Sequence, residues 1–63
     1  MEQNEFCARF VAEIMRATAH RTDEPREHFE QYAQAVAPDY FENERHRVEG
    51  PEDCARADMD CWD

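Results

Sequence analysis

Three cysteines and three histidines are the side chains of this 63-residue chain best suited to chemistry: Cys7, Cys54, Cys61, His20, His28 and His46. Cys54 and Cys61 stand seven residues apart, about 10 Å along a helix. Thiolates on one tetrahedral zinc must approach within roughly 4 Å, because Zn–S bonds are ~2.3 Å. That pair therefore shares neither a metal nor a disulfide on a straight helix. Cys7 with one of them and a histidine would make a donor set, yet no Cys-x-x-Cys pair supports it. The spacing reads the cysteines as buried small hydrophobes and the histidines as exposed side chains. Nucleophilic catalysis needs a hydroxyl or thiol beside a base. Serine is absent, and nothing in the linear order sets a histidine beside a cysteine. A phosphate-binding loop cannot be built with one glycine. Asp58 and Asp60 on a helix point about 200° apart and do not converge on calcium. Glu24 and Glu27 precede His28 at the wrong spacing for a helical carboxylate di-metal site, and Asp39 lies too far before His46. The expectation is a protein that is not an enzyme, with no catalytic residue, cofactor or metal ligand set.

Charge is the stronger signal. The sixteen acids and seven arginines give a net −9. Residues 1–22 are neutral, so the whole excess falls after Thr22. Eight acids crowd the last 22 residues: Glu42, Glu44, Glu49, Glu52, Asp53, Asp58, Asp60 and Asp63. A net charge of about 2–8 is enough to keep a small domain soluble. Beyond that, self-repulsion destabilises the compact state, so the excess argues for use. Such a field repels nucleic acid and anionic lipid and attracts basic protein surfaces. The cationic triplet Arg45-His46-Arg47 sits among acids, where it compensates a helix C-terminus and is unsuited to gripping phosphate. The candidate partner-binding residues are Tyr40, Glu42, Glu44, Glu49, Glu52, Asp53, Asp58, Asp60 and Trp62. The two aromatics enter because aromatic groups among charges are frequent anchors of interfaces.

Helices must position these groups. At 100° per residue, Phe6, Phe10, Ile14, Ala17, Cys7, Thr18, Val11 and Met15 share one arc of a helix over 3–20. Glu5, Arg9, Glu13, Arg16 and His20 fill the solvent arc. A second helix is predicted over 24–37, capped by Thr22 or Asp23, with Pro25 near its first turn. Phe29, Tyr32, Ala33 and Val36 face inward, and Glu27, Glu30, Gln31 and Gln34 outward. Pro38 disfavours helical geometry at Ala37, so a break is expected there and a short helix over 39–48. Glu49-Gly50-Pro51 reads as a turn and 51–62 as the last helix, with Ala55, Met59 and Trp62 on one row and Cys54, Ala57 and Cys61 on another.

The predicted fold is all-α: a single domain over 1–63, a compact bundle of three to four short helices. Leucine, lysine and serine are absent, so the core must rest on aromatics, each burying roughly 150–250 Å². A second copy of the chain would supply burial that one small chain lacks. No segment reaches the ~18 apolar residues of a membrane span, and the first residues lack the blocks of a signal peptide. A cytoplasmic location with reduced thiols is the expectation.

In size, charge and composition over its whole length the chain resembles the short acidic inhibitors carried by phages and mobile elements, such as anti-CRISPR proteins and DNA mimics. No motif carries the likeness. It implies a non-enzymatic protein that docks an anionic face on the basic nucleic-acid-binding surface of a target protein. Direct nucleic-acid or membrane binding is not expected. Two other readings follow from the same residues: a structural or adaptor homodimer, and a metal or redox switch using Cys7, Cys54 and Cys61.

Overall fold

The computed structural model describes residues 1–62; Asp63, one of the eight clustered acids, lies outside them. Four helices follow in order, α1 (Gln3–Ala17), α2 (Arg26–Glu42), α3 (Glu44–Glu49) and α4 (Pro51–Asp60), with no strand among the described residues. The all-α bundle expected from the sequence is the fold. No helix here is long and apolar enough to cross a membrane.

α1 is the shared wall, packing against both α2 and α4. Its arc delivers Phe6, Phe10 and Ile14 to the core, all essentially inaccessible. The facing helices answer with small residues: Ala33 and Ala37 from α2, and Cys54 and Ala55 from α4. Small residues let the helix backbones approach, and the rings of α1 fill the remaining space. Edge and tilted contacts complete it, Phe6 on Phe41 at 5.4 Å and Phe10 on Tyr40 at 5.2 Å between centroids. Such pairs are each worth about 0.5–1.5 kcal/mol beyond area burial.

α4 ends at Asp60 and not at residue 62, so Trp62 lies beyond the helix, and three further boundaries differ from expectation for identifiable reasons. First, α1 stops at Ala17. Thr18 turns its hydroxyl back onto the Ile14 carbonyl at 2.7 Å. The Arg26 guanidinium then donates to the carbonyls of Met15 and Thr18. A cation from the next helix thus satisfies carbonyls that a helix C-terminus leaves orphaned. Second, neither Thr22 nor Asp23 caps α2. Pro25 holds the N-cap position, and its ring has no group to bond a helix N–H; Asp23 is instead engaged by Arg21. Third, the break falls at Asn43, not Pro38. Pro38 lies inside α2 and costs it one backbone donor. The anchors beyond it, Tyr40 and Phe41 on Phe10 and Phe6, carry the helix through. Asn43 then ends α2 and caps α3, its Oδ1 accepting from the backbone N–H groups of Arg45 and His46.

Gly50 makes the last turn at φ +101°, ψ 154°, a region open to glycine alone in practice. Pro51 opens α4 at the first helical position, where its missing N–H costs nothing. After Cys61 the chain ends its described path with Trp62 stacked on Phe29 (6.1 Å) and edge-on to Tyr32 (5.6 Å).

Candidate functional site

The nine residues singled out from the sequence divide sharply once placed. Four of the acids are engaged within the molecule. Glu52 receives a two-pronged grip from Arg9, at 2.8 and 3.0 Å. Asp53 pairs with Arg56 at 3.0 Å. Asp58 accepts from both tyrosines of the chain, Tyr32 at 2.6 Å and Tyr40 at 2.7 Å. Glu49 lies 3.1 Å from the His46 ring. Tyr40 and Trp62 are half-buried and pack inward, Tyr40 between Phe10 and His46 and Trp62 on α2. Glu42, Glu44 and Asp60 remain exposed and form no ion pair among the described residues.

The engaged charges have a clear logic. Arg9 and Glu13 lie four residues apart on α1, and Glu52 and Arg56 four apart on α4. The order of sign is reversed between the two helices, so each arginine meets the other helix's glutamate. Glu13, which the helical arc places on the solvent side, is buried. It lies only about 20° of helix rotation from Phe6, on the edge where α4 docks. Hydrogen bonds from Arg16 and Arg56 hold its carboxyl below the usual range against the opposing effect of burial. Arg9 does the same for Glu52. Burial, then the bond to Asp58, pushes the Tyr40 hydroxyl well above its ordinary value, so it stays protonated and donates.

What the C-terminal emphasis of the sequence passed over is the outer side of α2. Glu27, Glu30, Asp39 and Glu42 are exposed and without an ion pair among the described residues. Glu44 follows immediately at the head of α3. The one arginine of α2 is Arg26, and it is turned to the carbonyls of α1. The signal was present in the sequence: between Arg26 and Arg45 the chain carries five acids and no arginine or lysine.

The cysteines divide too. All three are free thiols, with Cys54 buried, Cys7 half-buried and Cys61 exposed. Cys61 is therefore not the core residue expected. Burial, followed by the charges of Glu49 and Asp53, pushes the Cys54 thiol up. Its proton goes to the His46 carbonyl at 3.2 Å, which suits a structural thiol and not an activated nucleophile. The turn at Gly50 nevertheless folds α4 back so that Cys54 stands beside His46 and Glu49. A histidine has met a cysteine, a juxtaposition the linear order does not reveal.

No protein-family model, curated protein or solved structure matches this chain.

Proposed function

We propose that this is a non-enzymatic acidic binding protein that docks an anionic face on a basic, nucleic-acid-binding surface of a target protein and obstructs it. The observation that carries this reading is the fate of the cations. Five of the seven arginines are spent inside the molecule on carboxylates or helix carbonyls: Arg9, Arg16, Arg21, Arg26 and Arg56. Arg47 lies against the Phe41 ring. The outer side of α2 is left with no arginine or lysine; exposed His28 lies among its carboxylates, and Arg45, exposed and without an ion pair among the described residues, follows Glu44.

The docking residues move accordingly. Glu52, Asp53 and Asp58 hold the fold, while Glu27, Glu30, Asp39, Glu42 and Glu44 form the contact face. Glu27 and Glu42 lie about 60° apart around α2, with Glu30 and Asp39 at opposite margins of the same half of the helix; charges fixed on a helix raise the encounter rate with an opposite surface. It does so in a salt-dependent way, since the Debye length is only about 8 Å at physiological ionic strength.

The test is capture from host lysate on the immobilised protein, followed by elution with salt or with duplex DNA. Nucleic-acid-binding proteins should be retained at low salt and released by either eluant. The variant Glu27→Arg/Glu30→Arg/Glu42→Arg should lose this capture while keeping its helicity. Retention that resists both salt and DNA, or that survives the triple reversal, overturns the proposal.

A further inference from the structure

We propose that His46, Glu49 and Cys54 form a zinc-binding site at the junction of α3 and α4, with water as the fourth ligand. One imidazole nitrogen, one Glu49 carboxylate oxygen and the Cys54 sulfur all lie within 4.8 Å of one another. Ligands of one tetrahedral zinc are separated by about 3.3–3.8 Å, given bonds of ~2.0–2.3 Å. Contraction by roughly 1 Å closes the set. The donor types are selective: thiolate and imidazole favour zinc or cobalt over magnesium and calcium, which take oxygen shells.

Local structure has already assembled the three groups. His46 and Glu49 are three residues apart on α3 and share a face, their atoms 3.1 Å apart. The Tyr40 ring packs edge-on against the imidazole at 4.9 Å and restricts its rotation. Asn43 caps the helix that carries both. Gly50 then reverses the chain so that the first turns of α4 bring Cys54 alongside. Coordination would take the Cys54 thiol proton to solvent and remove its bond to the His46 carbonyl. That carbonyl keeps a partner, because the Gly50 N–H also donates to it at 3.1 Å. No buried polar group is stranded by the exchange.

A cleft of about 270 Å³ lined by Asp39, Tyr40, Asn43 and His46 opens beside the imidazole; Cys54 is buried behind it and does not line that cleft. Asp39 stands at it as an exposed carboxylate without an ion pair among the described residues. A thiolate and a carboxylate neutralise a divalent cation, and the surrounding net negative charge of the chain favours its entry.

The experiment is titration of metal-free, reduced protein with cobalt(II), followed by displacement with zinc. One equivalent of cobalt should bind and give a near-ultraviolet thiolate-to-cobalt absorption that zinc abolishes. Cys54→Ser should remove the absorption, whereas Cys7→Ser and Cys61→Ser should leave it intact. His46→Gln and Glu49→Gln lie at more exposed positions and should retain helicity while weakening binding by roughly tenfold or more, since losing a ligand costs no less than losing a ligand's hydrogen-bond partner. They decide the matter if Cys54→Ser fails to fold. Absence of the thiolate absorption, its persistence in Cys54→Ser, or unchanged affinity in both His46→Gln and Glu49→Gln overturns the site.

Discussion

α1 and α3 are opposite ways of making a helix. α1 runs for 15 residues and buries Phe6, Phe10, Glu13 and Ile14. α3 has six residues and buries none of them; its Val48 is 82% exposed. Isolated helices that short are not stable in water, so α3 owes its existence to its ends. Asn43 caps the start, Gly50 turns the finish, and Cys54 bonds back to His46. The long helix is a scaffold whose interior matters. The short one is a bracket whose termini matter, and it holds the imidazole and carboxylate at the rim of the molecule.

The largest test of that contrast is in α1. Phe10→Ala should cost about 3–5 kcal/mol. A chain of this size has only about 3–9 kcal/mol in total, so a urea melt followed by helical circular dichroism should find it either unfolded or with its midpoint cut by about a third or more. Val48→Ala in α3 should stay within about 0.5 kcal/mol of the parent in the same assay. A comparable loss at both positions would erase the distinction.

A change at the end of α3 should fall between these. Gly50→Ala meets no atom within 4 Å, so its cost is backbone strain at φ +101° alone, about 1–3 kcal/mol. A neutral result would mean that the turn readily adopts another conformation and that α3 is not fixed by its finish.

The smallest effect concerns the seam between α1 and α4. Glu13 and Glu52 are held below the ordinary carboxylate range in the folded state. A depressed folded value adds stability above the unfolded pKa of about 4.3, and that stability fades as pH falls through the folded values. The parent should therefore exceed Glu13→Gln/Glu52→Gln in urea midpoint at neutral pH, and the gap should narrow progressively below about pH 4. The difference isolates these two groups from the general relief of repulsion that acid brings to so anionic a chain. A gap independent of pH would show that the seam is held by packing alone.

Local periodicity made α1 legible, because a strong amphipathic arc decides both the helix and its buried face. The glycine turn and the start of α4 at Pro51 were equally plain, since proline and glycine act on their own backbone. Pro38 misled for the complementary reason: its cost is local, whereas the packing of Tyr40 and Phe41 on α1 is tertiary and outweighs it. Glu13 looked like a solvent residue because a helical wheel of one element does not show where its neighbour docks. Glu52 looked free because its pairing with Arg9 joins residues 43 positions apart, whereas the Glu49–His46 and Asp53–Arg56 pairs lie three residues apart, each within one helix, and are legible from spacing. The proximity of Cys54 to His46 depends on the reversal at Gly50, which no spacing rule encodes.

The chain contains one tryptophan, and the fold sets that indole against Phe29, Tyr32 and the Arg21 guanidinium. Emission from this single residue therefore gauges whether the tail is seated on the second helix. The molecule carries its own optical reporter, so lifting of the C-terminal segment can be followed without attaching a dye.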